Sequence, residues 1–257
     1  MDPDRAETEA RLAMIAGPVV ILAIVAWLAG YGSSAAGAAE AAWVLLTSLP
    51  WALGWLLAAV GLGWPLRSRL VGGHPDALAI QVGLGVAAMI TLDATLGPLG
   101  VLQWGGSLGA WALIVIGSAL VTEQLRRATR TAPVLPIVVW TAIPAVAVLL
   151  TAACSAPGWL WSSEFGGYDA MSYHLQLPAE WHGLGRIVPL EHNVYSWLPS
   201  YVEAAYYHLA VLIGDGPGAV YACQLLHASL AVGTAAIAAR IAWRFGGRLA
   251  AAVAASR

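Results

Sequence analysis

The chain has 257 residues, of which 60% are hydrophobic and 10% charged, and its formal charge is −2. That balance excludes an ordinary soluble domain, and it lacks the basic footprint that a nucleic-acid partner requires. With 28 glycines, 13 tryptophans and only 2 phenylalanines, it suits a membrane bundle whose small residues let helices approach closely.

In chain order, six stretches meet the length of roughly 20 apolar residues that a spanning helix needs. They are 12–30, 41–64, 77–96, 101–121, 132–153 and 218–239. The fold class predicted is all-α, a multi-pass transmembrane helical bundle with short juxtamembrane helices in an outer loop. Its expected divisions are five spans over 1–153, an extracytoplasmic loop over 154–217, and a sixth span with the start of another over 218–257. The closing RFGGRLAAAVAASR reads as the first turns of that next span, so a fragment of a longer membrane protein is expected. The first span reads as a retained anchor, because its start is acid-rich and its apolar core is long for a cleaved signal. Pro133 and Pro136 sit near the start of the fifth span, and Pro144 is placed to kink it.

Arginine in short loops sets the orientation. Arg5 and Arg11, Arg67 and Arg69, and Arg126, Arg127 and Arg130 put the N-terminus and two loops on the cytoplasmic side of a plasma membrane. The polar segment after the fifth span then lies outside. Residues 199–213 are short for a span, and as an interfacial helix they let the sixth span deliver Arg240, Arg244 and Arg248 inward. Helical spacing gives that helix one face of Val202, Tyr206, Leu209 and Ile213 and a polar face of Glu203 and Tyr207. Asp93 is the one charge within a span core, expected near an outward end that water can reach. Gln224 and His227 suit interhelical hydrogen bonding, and Glu123 suits pairing with Arg126 and Arg127 at a helix end. Cys154 and Cys223 fall near outer ends of spans, where burial as small hydrophobes and a disulfide are both open.

The segment 155–217 holds Asp169, Glu203 and four of the six histidines, His174, His182, His192 and His208. EFGGYDAMSYHLQL reads as a glycine turn and a short helix with Asp169 at its N-terminus and Tyr173 one turn beyond. Pro178 begins a second short helix that Gly183 or Gly185 stops. RIVPLEHNVYSWLP is expected to run extended back to the interfacial helix, with Trp181 and Trp197 at headgroup level.

A carboxylate at a bilayer surface can accept a hydroxyl's proton or hold a divalent metal ion at a phosphate. Asp169 is the candidate, its alternative being to cap its own helix; the residues name no cofactor, a divalent ion being one that such a carboxylate can hold. Glu203 is a second acidic candidate or a solvated residue on the polar face. Arg186 has suitable bidentate geometry for a lipid phosphate, or it snorkels toward headgroups. Tyr173, His174, His192, Asn193 and Tyr195 are candidates for binding a sugar or for satisfying the loop's own backbone. His174, His182 and His192 lack the compact spacing of a zinc site.

The order YDAMSYHLQLP, then GRIVPLEHNVYSWLPSYVEAAYYHL, then a span ending in arginines resembles the first outer loop of GT-C membrane glycosyltransferases. It is similar to their bacterial branch related to family 39 protein mannosyltransferases and to the Rgt-type sugar transferases. The resemblance covers about 158–248. It implies a catalytic acidic residue in the loop at Asp169, a second at Glu203, two juxtamembrane helices and a polyprenyl-phosphate sugar as donor. The acceptor it implies is a hydroxyl on a glycan, lipid or protein. Simple members carry this loop after their first span, whereas four further spans precede it here. The other classes that fit the composition are a noncatalytic module that binds lipid-linked glycans and a transporter fragment. The latter would show paired intramembrane charges or broken helices in repeated halves.

Overall fold

Apolar runs of spanning length fold here as helices because, in hydrocarbon, a helix is the only open segment that satisfies its own backbone. A computed structural model describes residues 3–30, 35–71, 76–127, 142–157 and 168–256. The helices are α1 (Pro3–Gly30), α2 (Ala35–Leu70), α3 (Ala77–Leu96), α4 (Leu108–Arg127), α5 (Ile143–Ala153), α6 (Gln176–Leu184), α7 (Tyr201–Ile213) and α8 (Val220–Ser256). Among the described residues there is no strand, and Leu190 and Asn193 form an isolated bridge. Among the described residues, four helical segments are long and apolar enough to cross a membrane: Gly37–Leu70, Ala77–Leu96, Leu108–Arg127 and Pro217–Gly247. Ala16–Gly30 and Ile143–Ala153 are shorter apolar helices. The chain is therefore an all-α membrane protein of the multi-pass kind.

Several boundaries differ from the hydropathy reading. Helix α4 starts seven residues after position 101, because Gly100, Gly105 and Gly106 take positive φ (69°, 62° and 89°) and fold 97–107 into turns. Pro144 lies in the first turn of α5, where its missing N–H leaves no helical bond unmade, so it starts the helix and does not kink it. Helix α8 is broken at Gly247, whose φ of 69° and ψ of −157° leave the helical region. Pro133, Pro136, Arg130 and the Glu164–Gly167 turn lie outside the described residues.

The chain divides into two compact units. One comprises 1–47, 129–155 and 227–257, and in it α1 packs against α5. The other comprises 48–128 and 156–226. Its α2 meets α3 and α4 backbone to backbone: a methyl group added to Gly85 would lie 2.0 Å from the Ala59 carbonyl oxygen, and one on Gly117 would lie 2.3 Å from that of Ala58. Such contact is possible only where side chains are absent, which is the use of small residues in membrane bundles. A reciprocal amide pair joins the same helices. Gln81 Nε2 donates to Gln124 Oε1 at 2.7 Å and to Val60 O at 3.0 Å, and Gln124 Nε2 donates back to Gln81 Oε1 at 3.2 Å. At the end of α4, Glu123 accepts from Arg127 Nε at 2.7 Å, and Arg127 also lies over the Trp64 ring. Cys154 and Cys223 are both free, buried thiols.

Helix α7 departs most from expectation. Residues 203–212 are all buried, packed against α3, α4 and α6. Its polar face therefore meets protein where the sequence pattern placed water.

Candidate functional site

Tyr168 and Asp169 open a helical turn that continues as a π-turn over Ala170–His174, closed by Leu175 N–H donating to Ala170 O at 3.0 Å. A bond from i+5 to i makes a wider turn than an α-helix, and single π-turns recur at functional sites. Within it Asp169 is near enough for its charge to act on Tyr173, whose ring meets that of His174. Helix α6 follows and stops at Gly185, whose φ of 75° is the left-handed cap expected there. Asp169 is exposed and makes no side-chain cap bond, so its carboxylate is not consumed by the helix it precedes.

The stretch from 186 to 199 is not extended throughout. Asn193 accepts from Tyr195 N–H at 3.1 Å and donates to Ser172 O at 2.8 Å, so its buried amide is committed to backbone on both sides. This pins a 3-10 turn, Val194–Trp197, against the π-turn. Tyr195 consequently stacks on Tyr173, with ring centroids 4.3 Å apart and planes 23° apart. The Tyr173 ring in turn lies 4.1 Å from the His174 ring.

From the first turn of α7, Glu203 reaches His174, with Oε1 2.5 Å from Nδ1. The imidazole side chain is 41% exposed and the glutamate 10%. Glu203 is thus not on a solvated face; it is screened from water by the histidine it holds. Partial burial, then the charges of Asp169, Tyr195 and Glu203, raise the Tyr173 phenol above its ordinary value, so it stays a neutral hydrogen-bond donor. Removing one of those negative charges makes the phenol easier to ionise. Asp169→Asn should therefore lower the alkaline midpoint of Tyr173, read by NMR of labelled tyrosine; an unmoved midpoint would separate the two side chains. Beside them the Ser172 hydroxyl is buried with no hydrogen-bond partner among the described residues.

The structure thus brings together Asp169, Tyr173, His174, Asn193, Tyr195 and Glu203. Two expected members lie elsewhere. His192 pairs with Glu180, Nε2 to Oε2 at 3.0 Å, on α6. Arg186 is exposed just past the Gly185 cap, next to Ile187, whose N–H donates to Gly97 O at 3.2 Å beyond α3. Among the described residues no group of three or more His, Cys, Asp or Glu is arranged to hold a metal ion. Comparison with protein-family models, curated proteins and solved structures finds no match.

A second polar centre was not anticipated from sequence. Asp93 and His208 are both 0% exposed, so Asp93 is enclosed by protein and does not lie at the accessible span end expected of it. His208 Nδ1 lies 2.7 Å from Asp93 Oδ1, His208 Nε2 lies 3.1 Å from Ala110 O, and Trp55 Nε1 donates to Asp93 Oδ2 at 3.0 Å. A carbonyl only accepts, so Nε2 carries a hydrogen. One further proton lies between Nδ1 and Oδ1, and wherever it resides the pair is neutral overall. The pointer in the sequence was Asp93 itself, since a charge within a span demands a partner.

Proposed function

We propose that this chain is a GT-C-like membrane glycosyltransferase that moves a sugar from a polyprenyl-phosphate carrier to a hydroxyl of a glycan, lipid or protein. The reaction takes place on the outer side of the cytoplasmic membrane, with the N-terminus inside. The observation that carries this reading is Asp169: an exposed carboxylate without a cap bond, beside a stacked Tyr173–Tyr195 pair and a His174–Glu203 pair. Aromatic faces suit the C–H faces of a sugar ring, and the neighbouring donors and acceptors suit its hydroxyls. The apolar spans beside this cluster suit a prenyl chain. Mg²⁺ is commonly held by one or two carboxylates together with substrate phosphate, so Asp169 fits a divalent ion without a dedicated protein cage.

Asp169→Asn keeps shape and removes charge. In membranes supplied with polyprenyl-phosphate glucose, galactose or mannose, it should lower transfer by roughly 10²–10⁴-fold while insertion is unchanged. Transfer equal to that of the native protein would defeat the assignment. The paired Asp93 and His208 favour a second reading, a transport module. That reading requires Asp93→Asn to abolish solute uptake into vesicles.

A further inference from the structure

Resting on the transferase reading above, we infer that His174 is the group that takes the acceptor's proton, and that Glu203 is the positioning residue that prepares it. The contact is short, 2.5 Å between Nδ1 and Oε1, and its two members are unequally placed. Glu203 stands on the buried helix α7 with a side chain 10% exposed, whereas His174 is 41% exposed. An ionised carboxylate can only accept, so the ring hydrogen of neutral His174 resides on Nδ1. Nε2 is left with its lone pair, and the imidazole cannot turn over without losing the glutamate. This is the orientation logic of a base held by a third group. Glu203, the more buried of the two, acts through the imidazole it holds.

The remaining groups around the ring are compatible with that role. Tyr173 lies against it from its own turn, Asp169 starts the same turn, and Tyr195 reaches it through Tyr173 from the 3-10 turn. On α6, Gln176 donates to Glu180 at 2.6 Å, and Glu180 faces His192, so that carboxylate is engaged elsewhere. Asp169 is then released for the donor's charge, through a divalent ion or the sugar hydroxyls. In the step itself the acceptor O–H bond breaks and its proton passes to Nε2. The acceptor oxygen bonds to the anomeric carbon, and the carbon–oxygen bond to phosphate breaks. The electron pair leaves on the polyprenyl phosphate, and the imidazolium releases its proton to water.

The test is kcat and KM for the native protein, His174→Gln, Glu203→Gln and Glu203→Ala in proteoliposomes, with polyprenyl-phosphate glucose, galactose and mannose as donors. His174→Gln should lower kcat by roughly 10²–10⁴-fold with little change in KM. Glu203→Gln keeps an acceptor for Nδ1–H in its amide oxygen and should retain most of kcat, whereas Glu203→Ala frees the imidazole and should lower kcat roughly tenfold or more at similar KM. Native rates in His174→Gln, or a Glu203→Ala loss that is undiminished in the His174→Gln background, would overturn the inference while leaving the transferase reading intact. Absence of transfer by the native protein with every donor would remove both. Should His174→Gln fail to insert, the kcat difference between Glu203→Gln and Glu203→Ala decides alone.

Discussion

Asp93→Ala is expected to destabilise the protein by roughly 2–4 kcal/mol, between the ~0.6 of one interhelical hydrogen bond in a membrane and the 3–5 of a broken buried ion pair. The substitution removes two bonds at once, strands the Trp55 indole N–H and leaves His208 Nδ1 without its acid partner in a site closed to water. Removing both members is a different change, because nothing buried is then left unpaired on the ring side. Asp93→Leu combined with His208→Leu should therefore lie nearer the native protein than either single substitution does. Reversible unfolding in mixed micelles gives the four values of the cycle. Strictly additive losses would show that the two side chains do not act as a pair.

Gly61→Ala is the second large effect. A methyl group there would lie 1.8 Å from the Gly117 carbonyl oxygen, and because that atom is backbone, α2 and α4 must separate. Overpacking of this kind costs about 1–3 kcal/mol or more. Gly54, on the same helix, has nothing within 4 Å of an added methyl group. Gly54→Ala should be neutral or stabilising by up to ~1 kcal/mol, since alanine is the better helix former. Thermal unfolding of the two variants side by side separates close packing from propensity; equal midpoints would sink the argument for direct backbone contact.

What could be read from sequence followed the range of the interactions concerned. Span 77–96 coincides with α3, because twenty apolar residues are a local property. Span 101–121 was misplaced because Val101 and Leu102 are apolar but fold in a glycine-rich turn, where Leu102 O accepts from Ala110 N–H at 3.0 Å. The Asp169 turn and its Tyr173 and His174 lie within one short motif and were visible there. Their partner Glu203 stood in view, but its link to His174 was not, since 29 residues separate them. The same applies with greater force to α7. Glu203, Tyr207 and His208 marked a polar stripe, and a stripe cannot say whether water or protein covers it. Here His174, Gln103 and Asp93 do, at separations of 29, 104 and 115 residues.

Helix α7 therefore acts as a ruler. It is clamped at His208 to a span and presents Glu203 to the surface loop five positions earlier, about 7.5 Å along the axis at the usual rise. Residue identity between those two marks is free to drift as long as it packs. Their count is not, because one position more or fewer would rotate the carboxylate by about 100° and carry it off the imidazole.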